Sequence, residues 1–383
     1  MSLLMMWIAG VLALALAWWF FRRPTPTATA SPHVAVQRVS TPAPKASPPT
    51  AAPAQVPTLR EPVAPVQEPL PASLSEFRWL GAQDMEPAHR DTLLTAVRGI
   101  PKPPRSMQKL LSPDFVARAG SAELSDLVMG EPLIAAKILS TVNAPIYGLH
   151  TPVTNIGQAV TFLGMNTVRS ICLQYMLAEA FKPKLAEAQR SFDAIWKASA
   201  IASELCVRLA KALNLPDQGT LSTQVVLSFV GQLATASLIP MSGLEKWLDR
   251  GRLERARLEQ ELLGLNATEI GGLLMKSWEL PEELVNDVSG VGRQLVTPFM
   301  STDPKRAPRF ALGYLCARLG ERLALGQLES LEGYSSQQDG GVDTYHLRAS
   351  LSHPALAKLD QALASPELQA TVDQMLGRVA AEA

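Results

Sequence analysis

The chain has 383 residues, 47% of them apolar and 18% charged, enough to bury a large core, and its modest aromatic content favours Leu/Ala/Val helices over aromatic-rich strands. Thirty-five Lys and Arg balance thirty-five Asp and Glu, so the electrostatic footprint of a protein that neutralises many phosphates is missing, which argues against nucleic acid as a partner. Cys172, Cys206 and Cys316 lie far apart among apolar residues with no CxxC pair, and read as reduced, buried thiols without a zinc or redox role.

Leu3 to Phe21 carries no charge and as a helix would span about 28 Å, close to the hydrocarbon thickness of a bilayer. The run lacks a basic n-region and ends in Trp18-Trp19-Phe20-Phe21-Arg22-Arg23, where a signal peptide would show small residues before a cleavage site. An uncleaved transmembrane helix over residues 3–21 is the expectation. Arg22 and Arg23 follow the span and no Lys or Arg precedes it, which places the N-terminus outside and the body in the cytoplasm.

Residues 22–75 form a second region. Pro24 to Ala72 holds thirteen prolines among Ala, Thr, Ser and Val, a composition that predicts a disordered tether with polyproline character, reaching between ~40 Å and ~150 Å. It reads either as a spacer or as a docking segment for a proline-recognising partner.

From there the patterns are helical. Glu86 to Ala96 is followed by the breaker Ile100-Pro101-Lys102-Pro103-Pro104, and Ser106 or Ser112 is placed to cap the next helix. Ser121 opens a segment carrying Leu124, Leu127 and Val128, and Pro132, suited to a first helical turn, opens another through Ile134, Ile138 and Leu139 to Asn143. Ile156 to Leu163 stops at Gly164, and a further helix runs from Thr167 to about Phe181. No alternating β-branched run bounded by turn pairs occurs in the body. The predicted class is all-α.

Glu131-Pro132-Leu133, Leu139, Asn143-Ala144, Tyr147-Gly148, Ile156, Ala159-Val160 and Leu163-Gly164 together resemble the core of the HDOD domain. The resemblance continues through Trp196 and through Trp278-Glu279-Leu280-Pro281, over about residues 92–297, with Glu and Ala standing where the family has Asp and Ser. It implies a multi-helix bundle related to the HD phosphohydrolases, in which histidines and a His-Asp pair hold metal ions that activate water against a phosphate ester. It also implies a bacterial signalling context.

The positions that would carry that chemistry hold other residue types. The resemblance calls for His two residues after Trp196, where Ala198 stands, and for His-Asp where the chain has Gly231-Gln232. It calls for His at Ala267 and His-His at Val291-Gly292. No His occurs between His150 and His346, so a shift of the matching cannot supply one. No catalytic, metal-binding or cofactor-binding residue is therefore expected. Trp196, Ala198, Gly231, Gln232 and Ala267 are expected to line a vestigial cleft.

Other catalytic classes are no better served. There is no GxxxxGK[ST], GxGxxG or GxSxG motif, and His150, in a loop, is the only histidine near the domain core that could serve a nucleophile as base. Asn143, Tyr147 and Gly148 read as a helix end, and Trp196 and Trp278 as core rings. Glu245 to Glu261 reads as one charge-rich helix with Arg255–Glu259 and Arg257–Glu261 pairs; it is either a solvated face or a docking surface, of which Arg252, Arg255 and Glu259 are the candidates.

Residues 298–383 predict helices packed on the domain: Pro308 to Leu325, then, after the polar loop Gly333 to Gly341, Pro354 to Leu363 and Pro366 to Ala380. The leading functional expectation is a non-enzymatic signalling or scaffold protein at the bacterial inner membrane, binding a cytoplasmic or membrane signalling protein. The alternative is a small-ligand or nucleotide sensor using the vestigial cleft without turnover, and the remotest a metal-dependent phosphohydrolase.

Overall fold

The computed structural model describes residues 69–144, 147–181 and 186–377. The expected transmembrane helix 3–21 and nearly all of the tether lie outside those residues. The tether's expected end is corrected: Ala72–Ser75 (α1) is a helix, with Leu74 buried and the Ser73 carbonyl oxygen accepting from Arg257. Folded structure thus begins ahead of residue 75.

All regular elements among the described residues are helices. Pro87–Arg98 (α2) is capped by the Glu86 carboxylate, which accepts from the His89 N–H. After the Pro-rich break come the short helices Arg105–Leu111 (α3) and Pro113–Arg118 (α4), and Ser112 caps the second of them. Ser121–Met129 (α5), Pro132–Val142 (α6) and Ile156–Leu163 (α7) pack together and onto Met165–Ala180 (α8). Asn143 ties the end of α6 to the next loop: its amide donates to the Leu139 and Val153 carbonyls and its oxygen accepts from the Val153 N–H.

The centre of the bundle is Ala186–Ala212 (α9), 27 residues and about 40 Å long. It packs on Gln218–Ser228 (α10) and, most extensively, on Ala307–Ala324 (α16). At the second contact a Cβ on Gly320 would lie 2.4 Å from the Ala198 carbonyl oxygen, so the backbones meet where only glycine fits. Val230–Leu238 (α11) continues from α10; the combined stretch Gln218–Leu238 is apolar and long enough to cross a membrane, yet 78% of its most apolar window is buried in protein. It is a core element.

Met241–Leu248 (α12) and Arg252–Leu263 (α13) stand where one charge-rich helix was expected. The break falls at Asp249-Arg250-Gly251, and α13 ends at Gly264 in the left-handed conformation, φ 82°. Ala267–Ser277 (α14), capped by Asn266, and Glu282–Arg293 (α15) come next. In the C-terminal region the sequence missed Tyr345–Leu351 (α17), which has no side-chain cap to announce it. The last helices are shorter than their patterns, Leu359–Leu363 (α18) and Pro366–Met375 (α19).

Candidate functional site

The positions where HD chemistry would be expected converge in space. Gln232 on α11, Ala267 on α14, and Val291 and Gly292 on α15 line one small recess together with Arg252 and Arg255 of α13. Its volume is about 60 Å³, room for one or two waters. Ala198 joins Gln232 and Arg255 around an adjoining void of about 10 Å³.

The room expected from the loss of large ligands is taken up by helix packing. A Cβ on Gly231 would sit 1.9 Å from the Ala267 carbonyl oxygen, and one on Gly292 2.2 Å from the Thr268 hydroxyl. Gly271 faces Gly231 so closely that a Cβ there would lie 2.9 Å from its Cα. Gly231 and Ala267 therefore touch each other across α11 and α14 and leave no space between them for a ligand.

Charge fills the rest. Glu321 of α16 accepts from Arg252 Nε at 3.1 Å and Nη2 at 2.7 Å, from Arg255, and from the Gln232 amide at 2.5 Å. Glu259 accepts from Trp247 Nε1 at 2.7 Å and from the Ala267 N–H at 2.6 Å. The Arg252 guanidinium lies 4.6 Å from the Tyr314 ring centre and that of Arg255 5.7 Å from Trp247, distances at which cation–π attraction operates.

The two carboxylates titrate in opposite directions. Burial alone would push Glu321 up, but the charges of Arg252 and Arg255 outweigh it and hold the carboxyl at about 2. Burial pushes Glu259 up, opposed by the Ala267 N–H, Trp247 and Arg255. Two guanidiniums beside Gln232, with no imidazole near, form a surrounding in which a divalent cation would be repelled and poorly coordinated. The residues do not fit the metal that the HD relationship implies. Among the described residues no group of three or more His, Cys, Asp or Glu is arranged to hold a metal ion.

Two expectations need correction. Arg252, Arg255 and Glu259 are not an exposed docking surface: Arg255 and Glu259 are 5% and 3% exposed, the two arginines reach Glu321 of α16, and Glu259 reaches Trp247 of α12 and Ala267 of α14. The within-helix pairs expected there are not the ones formed, because Glu321, distant in sequence, captures Arg255, and Arg257 turns to Ser73 and Glu254. Trp196, in turn, does not share the cleft of Ala198. Two positions along a helix are about 200° apart, so Trp196 faces away from α16.

Trp196 instead lines a cavity of about 550 Å³ between α8, α9 and α19, with Tyr147, Tyr175 and Arg208. Arg208 bridges Glu204 at 2.7 Å and Glu367 at 2.8 Å, and the same three residues border a neighbouring cavity of about 590 Å³. The Ser170 hydroxyl, on the wall of the first cavity, is buried without a hydrogen-bond partner. His150 is exposed in its loop, while Trp278 is a fully buried core ring.

The HDOD domain model matches residues 100–291. Among solved structures the fold is shared by a candidate phosphohydrolase from Shewanella amazonensis SB2B, at 21% identity and TM-score 0.50, with 75% of this chain and 98% of that one covered. An HDOD domain protein of unknown function from Geobacter sulfurreducens matches at 19% identity and TM-score 0.48, covering 74% of this chain and 98% of that one. A search of curated proteins gave no match. The family match spans half of the chain, coincides with the bundle that builds the Gln232 recess, and includes all but one of the helices that carry it: the chain belongs to the HDOD family.

Proposed function

We propose that this chain is a non-enzymatic signalling or scaffold protein, held at the cytoplasmic membrane by residues 3–21, tethered through residues 22 to about 68, and acting by binding a protein partner through its HDOD domain. The observation that carries this reading is the Arg252–Glu321–Arg255 cluster standing where a metal centre would have to be. Two guanidiniums and a carboxamide activate no water for attack on a phosphate ester, whereas they hold α11, α13 and α16 in fixed relation, which a binding surface needs. The membrane anchor and the cytoplasmic side rest on the uncharged run and on Arg22 and Arg23; Pro24 to Ala72 supports the tether.

The test is cross-linking of the full chain in its native membrane, followed by mass spectrometry, beside metal analysis of the purified protein. A stoichiometric protein partner in a metal-free preparation is the expected result. Stoichiometric transition metal with phosphodiesterase activity would sink the proposal.

A small-ligand sensor is the second reading, and the Trp196 cavity favours it in place of the Gln232 recess. Its volume lies in the range of small-molecule sites, and Ser170 offers an unused hydroxyl there. Native mass spectrometry of the full chain, with Trp196→Ala as control, distinguishes it: a bound small molecule lost in the variant supports the sensor.

A further inference from the structure

A further cavity, of about 370 Å³, opens where α8 meets the first turn of α10, and it shares no lining residue with the Gln232 recess or the Trp196 cavity. Arg169 of α8 lies on its wall. The side chain is 2% exposed, its Nε has no hydrogen-bond partner, and no carboxylate among the described residues pairs with it. A buried, uncompensated guanidinium is among the most costly groups a fold can carry.

The guanidinium is pressed onto α10. A Cβ on Gly219 would lie 2.7 Å from Arg169 Nη1 and 2.4 Å from the Asn166 side-chain oxygen, so only glycine lets Arg169 reach past the helix start. The helix is 11 residues long and is entered through Asp217 in the left-handed conformation, whose side chain makes no cap. That carboxylate is turned to Arg309 at 3.3 Å. The N–H groups of the first turn are thus left without a capping acceptor beside an unpaired cation, an arrangement that attracts anions.

The other wall adds an acceptor. Gln224 is 1% exposed, its Nε2 donates to Asp287 at 2.8 Å, and its Oε1 has no donor. Of the carboxylates that line the cavity, Asp287 and Glu283 share one arginine, Arg306, at 2.7 and 3.4 Å, and Asp217 is held by Arg309. Arg169 is the lining guanidinium that no carboxylate among the described residues is paired with.

We infer that this cavity binds a small molecule bearing a phosphate group, held by Arg169 and the first turn of α10, with a hydroxyl of the ligand donating to Gln224. A phosphate supplies several acceptor oxygens for the guanidinium and the backbone N–H groups. At neutral pH inorganic phosphate also retains a hydroxyl, which sulfate does not. The volume leaves room for a small organic portion.

The test uses the full chain, with inorganic phosphate as probe and sulfate and chloride at equal ionic strength as controls. The wild type is expected to show a saturable rise in Tm with phosphate, smaller with sulfate, and a phosphate Kd measured by calorimetry that weakens about tenfold or more in Arg169→Met. In chloride alone, Arg169→Met is expected to be at least as stable as the wild type, because an unpaired buried charge has been removed. Gln224→Leu is expected to narrow the preference for phosphate over sulfate. A Met variant that keeps the phosphate increment, fails to fold, or is less stable than the wild type in chloride would make Arg169 a structural residue and overturn the inference.

Discussion

The Gln232 amide donates to the Glu321 carboxylate at 2.5 Å, joining α11 to α16 at the point where an HD protein would place a metal-binding aspartate. Among the described residues Glu321 is also the only carboxylate that both Arg252 and Arg255 reach. Removing it takes away the one carboxylate that both buried guanidiniums hydrogen-bond. Glu321→Ala is expected to destabilise the fold by about 3–5 kcal/mol, read as a lowered urea midpoint at unchanged m-value. Adding Arg255→Met is expected to recover part of the loss, and a double variant no better than the single one would count against this coupling.

The same carboxyl sets an acid-side pH dependence. Its folded value of about 2 lies below the ordinary 4.5, so its contribution is fully present above the unfolded value and is lost as pH falls from about 4.5 towards 2. The difference amounts to roughly 3 kcal/mol. Glu259, raised by burial, works the other way, its contribution declining as pH rises above the ordinary carboxylate range. Unfolding free energy followed from pH 6 to pH 2 should fall less steeply in Glu321→Gln than in the wild type.

Introducing the HD-type ligands one at a time should fail sterically. Gly231→His places a Cβ on the Ala267 carbonyl oxygen, and even Gly231→Ala is expected to cost about 2 kcal/mol or more. Thermal unfolding measures this directly; an alanine variant as stable as the wild type would show that α11 and α14 can separate.

A chelator is expected to leave the Tm of the full chain unchanged, since the recess offers cations where a metal would need donors. A fall in Tm on adding EDTA, reversed by a stoichiometric metal, would contradict the assignment of the recess.

The all-helical class was legible because apolar spacing, caps and breakers agree: Ser112, Pro132 and Gly164 mark helix ends in the sequence and in the fold. The absence of imidazoles at the positions the HD relationship calls for was legible because it depends on residue types, and a missing imidazole shows in any register. What replaced it was not. Glu321 sits in Ala-Arg-Leu-Gly-Glu-Arg-Leu, where nothing local separates a buried carboxylate from a solvated one, and its partners come from a helix more than sixty residues earlier. Arg255 looked exposed for the same reason, because α13 reads as a helix in water until α16 is laid against it. Arg169 escaped notice because a single arginine among apolar residues gives no sign of whether a partner awaits it.

The backbone contact between Gly231 and Ala267 also bears on the direction of change. Seating a metal ion between these helices would require α11 and α14 to move apart, both arginines to leave, and several ligands to arrive together. Each step taken alone either opens a gap, strands a charge or creates a clash, so a route to such a site runs through variants that fold less well than the present protein. The contact acts as a latch: as long as the Gly231–Ala267 approach and the Glu321 cluster hold the helices together, folding stability alone is enough to keep the recess shut.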